Sequence, residues 1–216
     1  MKLLTTNSKI DKSMKAFPEY EASILQMLPR KGICENYKEC IKNCLAFKGL
    51  AKVYPSITKS RKAKTDFFLT QHSAFMKQLV KEISNQVKRA HKKGKIPCVR
   101  LNGFSDIDWV KQEFDFTGRN IFNTFPNVIF WDYTADFNKV LENRSPNYYL
   151  TFSYKGNNLA DCAKLHLTNK ANVAVIDTPK NRETFKHTGQ VPVEGDTHDF
   201  RFLDGDLSIV WLSEKK

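Results

Sequence analysis

The sequence predicts an α/β protein built on a partial (β/α) barrel-like parallel sheet with five or six β/α units. Short apolar segments alternate along the chain with helical segments. Within the apolar segments, polar residues do not alternate with apolar ones, which is typical of parallel strands buried on both faces. At 216 residues, the chain is also shorter than the roughly 250 residues of a complete eight-unit barrel.

Six apolar segments are predicted as strands, and the first ends before Pro29, which cannot donate a hydrogen bond to a sheet. These segments are residues 22–28, 96–101, 127–133, 148–154, 171–176 and 207–212. Shorter helices are predicted over residues 135–143 and 158–169, and another is predicted to start at Ser105 or Asp106.

A long helix is predicted from Lys62. Apolar residues recur at steps of three and four from Phe68 to Ala90 and form one stripe, which includes His72. Gly94 ends the helix, and Pro97 prevents its continuation. Four lysines fall outside the stripe: Lys77, Lys81, Lys88 and Lys92.

The sequence predicts one domain over residues 1–216. Residues 1–61 form its N-terminal segment and include a Cys-rich loop at 32–49, and residues 62–216 carry the β/α units and a C-terminal strand. The chain shows neither the apolar core of a signal peptide nor a run of about 20 apolar residues. We therefore expect a cytoplasmic protein without a membrane partner.

Charge is distributed unevenly along the chain. The whole sequence has 35 Lys and Arg against 23 Asp and Glu, for a formal charge of +12. Residues 1–100 hold 22 basic and 7 acidic side chains, a net of +15, whereas residues 101–216 hold 13 and 16, a net of −3. The basic half predicts nucleic acid as a partner, because Lys and Arg release counterions from phosphates. The alternative is an ordinary solvated surface rich in lysine.

Three cysteines, Cys34, Cys40 and Cys44, form a C-x5-C-x3-C pattern after the first predicted strand. Three interpretations stay open: a [4Fe–4S] cluster, a structural zinc, or three unconnected residues. The cluster is favoured because zinc sites often contain a C-x2-C pair, which is absent here, and because the carboxyl ends of parallel strands carry the chemistry of such folds.

Three thiolates leave one iron of such a cluster without a protein ligand. The candidates for the fourth ligand are Cys98, His198, Asp106 and Asp132. The alternative for Cys98, and for Cys162 in a predicted helix, is that each packs as a small hydrophobic residue.

Polar residues after the predicted strands are expected to lie near the cysteines, since the carboxyl ends of parallel strands meet at one edge. Those predicted to line a site are Asn102, Ser105, Asp106, Asp132 and Ser153. Ordinary capping of helix starts is the alternative for Ser105 and Asp106.

The C-terminal segment GDTHDFRFLD, residues 195–204, adds His198, Asp199 and Arg201 as site candidates. His198 is interpreted as a metal ligand, an acid–base group, or part of a salt-bridged turn. Its acidic neighbours are expected to favour the charged imidazolium.

Several segments together resemble a family of phage- and mobile-element-encoded gene products with a three-cysteine motif. The similarity covers nearly the whole chain and includes Asn7-x-Lys9-x-x-Lys12, the three cysteines with Leu45, and Arg61 with Lys64-Thr65. It continues in VRLNGFSDI (99–107), DYT (132–134), TFS (151–153), NVAVI (172–176) and GDTHDFRFLD (195–204). The resemblance supports the fold and the site more than a function.

More distantly, the chain resembles radical S-adenosylmethionine enzymes, which carry C-x3-C-x2-C after the first strand of a partial β/α barrel. The cysteine spacing differs here, and Gly103 alone stands where that family has a glycine pair after the second strand. This resemblance implies a [4Fe–4S] cluster and S-adenosylmethionine as cofactors.

Two functions follow as hypotheses. The first is an iron–sulfur protein with a redox or radical-type role, acting with a redox partner or a small molecule. The second is a phage nucleic-acid-binding replication or regulatory protein with a structural metal site, in which the basic half supplies the affinity.

Overall fold

An eight-stranded sheet forms the centre of the computed structural model, which describes residues 1–34, 41, 44–113, 118–186 and 191–214. The strands are β1 (Leu4–Thr5), β2 (Tyr20–Leu25), β3 (Ile96–Arg100), β4 (Ile129–Thr134), β5 (Tyr148–Ser153), β6 (Asn172–Asp177), β7 (Val191–Glu194) and β8 (Ser208–Ser213). Their order in space is β1-β2-β3-β4-β5-β6-β8-β7. Only β1 is antiparallel to its neighbour.

All six predicted strands are present in the sheet, which confirms a mixed α/β fold with a mostly parallel sheet. The prediction missed β1 and β7, because β1 has two residues and β7 has a Pro-containing, largely exposed sequence. Sequential, parallel order from β2 to β6 places the connecting helices across one face of the sheet. The arrangement does not show the barrel of the radical enzymes.

Eight α-helices are described. They are α1 (Ser8–Ala16), α2 (Leu50–Val53), α3 (Pro55–Thr70), α4 (His72–Lys92), α5 (Ile121–Thr124), α6 (Phe137–Glu142), α7 (Leu159–Leu167) and α8 (Pro179–Thr184). Single 3-10 turns occur at Leu45–Phe47, Trp109–Lys111 and Arg201–Leu203. No helix in the described ranges is long and apolar enough to cross a lipid bilayer.

The predicted long helix is two helices, which corrects the continuous helix from Lys62. The backbone leaves helical geometry at Gln71, with φ −138° and ψ 51°, and α4 starts at the next residue. The apolar stripe continues across this break, since Phe68 of α3 packs edge-on against His72 and Phe75 of α4. Side-chain periodicity therefore could not reveal the break.

The sheet has a helix-covered face, under α3 to α8, and an α1 face, under α1 and the segment 196–204. Val99 and Phe130 lie on the helix-covered face against α4. Their strand neighbours Cys98 and Trp131 lie on the α1 face, packed with residues of α1 and Phe200. The carboxyl ends of β3, β4 and β5 thus present side chains to both layers.

Candidate functional site

Asn102 organises the loop that follows β3. Its side chain is buried, and its Oδ1 accepts hydrogen bonds from Ser105 Oγ (2.9 Å), the Ile107 N–H (3.0 Å) and Trp109 Nε1 (3.1 Å). The side-chain amide donates to the Ile107 carbonyl at 3.0 Å. Gly103 lets this loop lie against β2, because a Cβ there would come within 2.7 Å of the Leu25 carbonyl oxygen. The Asn102 side-chain amide is thus the common hydrogen-bond partner of Ser105, Ile107 and Trp109 in this loop.

Asp132 joins this loop to β4 and β5. Its carboxylate accepts the Asn102 backbone N–H at 2.6 Å and the Tyr148 hydroxyl at 3.0 Å. Burial raises the pKa of Asp132 to about 7, although Lys139 and Arg100 act in the opposite direction. Asp132 is therefore a buried acid that folding holds partly protonated near neutral pH.

The carboxylate of Asp106 contacts the residues that follow β4. Its carboxylate accepts Lys139 Nζ at 2.8 Å and the Ala135 N–H at 3.0 Å, and Lys139 also donates to the Ile107 carbonyl at 2.9 Å. We call the connected residues the Asn102 network: Asn102, Ser105, Asp106, Trp109, Asp132, Lys139 and Tyr148. Four predicted site residues lie in this network, and their roles in it are those of internal hydrogen-bond partners.

A second group lies on the α1 face and is here called the arginine cluster: Arg100, Tyr133, His198, Asp199, Arg201 and Asp204. Arg100 Nη1 donates to Asp199 Oδ2 at 2.8 Å, and its guanidinium lies 4.8 Å from the centre of the Tyr133 ring. Arg201 Nη2 donates to the His198 carbonyl at 2.7 Å, while its Nε is 3.3 Å from Asp204 Oδ2. The cluster thus brings together the three candidates of the C-terminal segment, His198, Asp199 and Arg201.

Gly195 and α1 position the segment that carries this cluster. The Gly195 N–H donates to the Trp211 carbonyl at 2.7 Å, and a Cβ at Gly195 would collide with β8. The Asp199 N–H donates to Ser13 Oγ of α1 at 2.7 Å. Lys9 Nζ, also on α1, lies 3.7 Å from Asp199 Oδ1. The C-terminal segment is therefore held between β8 and α1.

The electrostatics of the cluster reverse one expectation. Burial, and then the charge of Arg201, lower the pKa of His198 to about 4. His198 is therefore neutral at physiological pH, contrary to the imidazolium expected from its acidic neighbours. Burial raises the pKa of Asp204 to about 6 and also raises that of Tyr133.

Sequence analysis missed Lys9, Arg100, Tyr133 and Asp204 as site residues. All four lie within the segments that carry the family resemblance, and Arg100 is a charged residue that ends an apolar strand. These two signals together could have identified them. Arg100 also connects the two groups, because its Nε lies 3.9 Å from Asp132 Oδ1.

Ser153 joins neither group through a described side-chain contact. It ends β5 opposite Ala174 of β6, and its carbonyl accepts the Asn158 side-chain amide at 3.1 Å. Its described role is to hold the start of the following helix.

The iron–sulfur interpretation is wrong for the described part of the chain. There, no three His, Cys, Asp or Glu side chains form a group that could hold a metal ion. Cys34 and Cys44 are half-buried, and Cys40 lies outside the described residues. Burial raises the pKa of Cys34 to about 11, so its sulfur is a protonated thiol in the metal-free protein.

The proposed fourth ligands have other partners. Cys98 is buried in the core of the α1 face, and Cys162 is buried in the core under α7, so both pack as small hydrophobic residues. His198 and Asp132 lie in the two groups described above. Asp106 lies beside Cys34, but both of its carboxylate oxygens accept hydrogen bonds from other groups.

A cleft of about 380 Å³ lies at the carboxyl edge of the sheet. Cys34, His72 and Asp108 line it, together with Asp106 of the Asn102 network. His72 Nε2 is 3.0 Å from Gln112 Oε1. Cys34 thus lies at the edge where the sequence predicted it, in a cleft whose carboxylates serve mainly to cap the following turns.

The outer surface of α4 carries what we call the lysine face: Lys77, Lys81, Lys88 and Lys92. All four side chains are exposed, and none forms an ion pair within the described ranges. Glu82, the one acidic residue of α4, instead accepts the backbone N–H groups of Leu3 and Leu4 at 2.9 and 2.8 Å. Arg89 and Lys93 pair with Glu21. The four lysines of this face therefore have no described ion-pair partner, although Glu82 lines the same surface depression as Lys77 and Lys81.

Comparison with known proteins gives one match. No curated protein and no solved structure shows significant similarity to the chain. The model of the Gene product 88 family matches residues 1–216. The chain therefore belongs to the Gene product 88 family.

Proposed function

We propose that this protein binds nucleic acid through the lysine face of α4. The single observation that supports the proposal is the set of four exposed lysines on one side of one helix, none of which forms an ion pair in the part of the chain that the structure describes. A scattered, solvated surface would mix both signs of charge, as the pairs of Arg89 and Lys93 with Glu21 do nearby. We expect this activity in the cytoplasm of the host cell.

The spacing of the lysines suits a phosphate backbone. Steps of four, seven and four residues place them within about 60° of arc along roughly 22 Å of helix. Double-stranded DNA presents about one charge per 1.7 Å of its axis, so each lysine can reach a phosphate. Binding of this kind releases counterions, which supplies affinity without any change in the fold.

The same surface predicts which nucleic acid is preferred. Lysine contacts with phosphate fix position but do not identify bases, so binding should be independent of sequence. Phe75 is the only Phe, Tyr or Trp of α4 and it is fully buried, so the helix offers no exposed ring of these three types on which single-stranded bases could stack. We therefore expect duplex DNA or RNA to bind more tightly than single strands.

The experiment compares two variants of equal charge. One carries Lys77→Gln, Lys81→Gln, Lys88→Gln and Lys92→Gln, and the other carries Lys→Gln at the exposed positions 155, 170, 180 and 186. Fluorescence anisotropy measures binding to a labelled duplex of about two helical turns over a range of salt concentrations. The wild type should show a log–log salt slope of about −3.6 if all four lysines contact phosphates, which is roughly a 100-fold loss between 50 and 200 mM salt.

The α4 variant should bind at least about ten-fold more weakly and lose most of the salt slope. The control variant should bind as the wild type does, because its lysines lie elsewhere. If both variants weaken binding equally, net charge rather than the lysine face is responsible, and the proposal fails. It also fails if the wild type does not bind the duplex at low salt.

A further inference from the structure

Unpartnered polar atoms are concentrated in the arginine cluster. The described residues contain nine buried side-chain nitrogen or oxygen atoms without a hydrogen-bond partner, and six of them belong to this cluster. They are Arg100 Nε, Tyr133 Oη, Asp199 Oδ1, Arg201 Nε, Arg201 Nη1 and Asp204 Oδ2. Buried polar groups are normally satisfied because an unmade hydrogen bond is costly, so such a concentration needs a physical cause.

The unpartnered atoms include both donors and acceptors. The two guanidinium groups and the Tyr133 hydroxyl donate, whereas Asp199 Oδ1 and Asp204 Oδ2 accept. All four charged residues act electrostatically on the Tyr133 hydroxyl, so the six atoms belong to one group. Four of them lie 3.3 to 3.9 Å from an opposite charge without forming a hydrogen bond to it. A ligand that satisfies them must accept several hydrogen bonds and also donate.

The cluster is closed on its inner side and has a polar rim. The side chains of Arg201 and Asp204 are 0% and 1% exposed, so they form its floor. Arg100 and His198 are 13% and 14% exposed, and Lys9 is 27% exposed. We therefore expect a ligand to enter past Lys9 and His198 and to displace neighbouring side chains before it meets Arg201. There it lies in a desolvated environment, where charge-assisted hydrogen bonds are strongest.

We infer that the arginine cluster binds a hydrogen phosphate group, either as inorganic phosphate or as the end of a small phosphate monoester. Three cations, Lys9, Arg100 and Arg201, attract the anion, and two guanidinium groups suit its oxygens geometrically. The P–OH of a hydrogen phosphate donates its one proton to Asp199 Oδ1 or Asp204 Oδ2, neither of which accepts a hydrogen bond in the structure. Sulfate has the same shape but carries no proton at neutral pH, so it would face those carboxylates without a donor.

The test uses inorganic phosphate on the full chain. Isothermal titration calorimetry and thermal unfolding are measured in phosphate, in sulfate, and in sodium chloride at matched ionic strength. We expect saturable binding of phosphate with a rise in melting temperature, and at least about ten-fold weaker binding of sulfate. Equal responses to phosphate and sulfate, or no saturable response to phosphate, would overturn the inference.

Two variants test the location. Tyr133→Phe removes one unpartnered hydroxyl and leaves the ring in place, so it should weaken phosphate binding while the fold is retained. The matched control is Tyr154→Phe, whose ring packs on Phe185 on the helix-covered face. Lys9→Gln changes the rim of the arginine cluster instead, and it replaces Tyr133→Phe as the test if Tyr133→Phe folds poorly. Phosphate binding that survives both Tyr133→Phe and Lys9→Gln excludes the cluster as the site.

Two further measurements distinguish inorganic phosphate from a phosphate monoester as the ligand, and the arginine cluster from the lysine face as the binding surface. Glycerol 3-phosphate binding more tightly than inorganic phosphate identifies a monoester as the ligand, and the reverse identifies the free ion. The α4 variant with four Lys→Gln changes should keep phosphate binding, and Tyr133→Phe should keep duplex binding. If the α4 variant loses phosphate binding, the lysine face rather than the arginine cluster holds the ion.

Discussion

The Asn102 network and the arginine cluster are two buried polar groups on opposite faces of one sheet, and Arg100 touches both. They differ in how completely their atoms are satisfied. In the network, the Asn102 side-chain oxygen, Oδ1, alone accepts three hydrogen bonds. No atom of the network is among the buried atoms of the described chain that lack a hydrogen-bond partner. In the cluster, six atoms have no hydrogen-bond partner, although four of them lie 3.3 to 3.9 Å from an opposite charge.

This difference teaches that burial and charge alone do not identify a binding site. Both groups contain buried acids with raised pKa values, at Asp132 and Asp204. A polar group that satisfies itself stabilises the loops it connects. One that leaves donors and acceptors unpaired has capacity for a ligand, so we assign structure to the network and binding to the cluster.

The largest expected effect comes from breaking the network at its centre. Asn102→Ala leaves the Ser105 hydroxyl, the Ile107 N–H and the Trp109 indole N–H buried without an acceptor. We expect this variant to lose about 4 kcal/mol of unfolding free energy, since each unsatisfied group costs about 1–3 kcal/mol. Urea denaturation measures it. Asn102→Asp keeps an acceptor oxygen and should recover part of the loss; a loss below about 1 kcal/mol for Asn102→Ala contradicts the structural assignment.

A smaller effect on the unfolding free energy is expected from a change in pH. The folded-state pKa of Asp132 is raised to about 7 from 3.8 by burial, so the folded protein holds a proton that the unfolded chain releases. Stability from this group is therefore present at low pH and lost as pH rises, by about 2 kcal/mol between pH 5 and 7. Asp204, with a pKa raised to about 6, acts in the same direction.

Asp132→Asn isolates this contribution, because the amide oxygen still accepts the Asn102 N–H. Arg100, Lys139 and Tyr148 face Asp132 from β3, α6 and β5, and all three are retained in the variant. Urea denaturation at pH 5 and pH 7 should show a flatter pH dependence than the wild type, with the Asp204 contribution still present. An unchanged pH dependence would show that Asp132 is already ionised across this range.

The smallest effect on stability is expected in the cluster. Tyr133→Phe removes a hydroxyl that has no described hydrogen-bond partner, so the unfolding free energy should change by less than about 0.5 kcal/mol without phosphate. The same denaturation assay in phosphate should show the wild type stabilised more than the variant. A loss of 2 kcal/mol or more in the absence of phosphate would mean that the hydroxyl has a structural partner, and the contrast with Asn102 would disappear.

Much of the fold could be predicted because it depends on local patterns. Apolar segments without alternation gave all six main strands, and the four lysines outside the stripe are exposed as expected. The break at Gln71 could not be predicted, because the stripe of apolar residues continues through it. Strand β1 was too short to leave a pattern, since its pairing depends on β2 rather than on its own sequence.

The candidate site was predictable only in part. His198, Asp199 and Arg201 stand out in one short segment, but their partner Arg100 lies 99 residues earlier than Asp199. Similarly, the close sequence spacing of Cys34 and Cys44 suggested shared chemistry, yet the burial of Cys34 keeps its thiol protonated. Spacing along the chain brings residues near one another without determining their solvent exposure.

The sequence by itself determined the α/β class, the family and the basic N-terminal half, because composition, periodicity and motif order are properties of the chain. The tertiary structure alone decided that α1 and the segment 196–204 cover one face of the sheet, where Lys9, Arg100 and Arg201 meet Asp199. It also decided that His198 is neutral and that Asp132 is protonated up to about pH 7. Desolvation and long-range charge set these properties, and both exist only once distant segments are packed together.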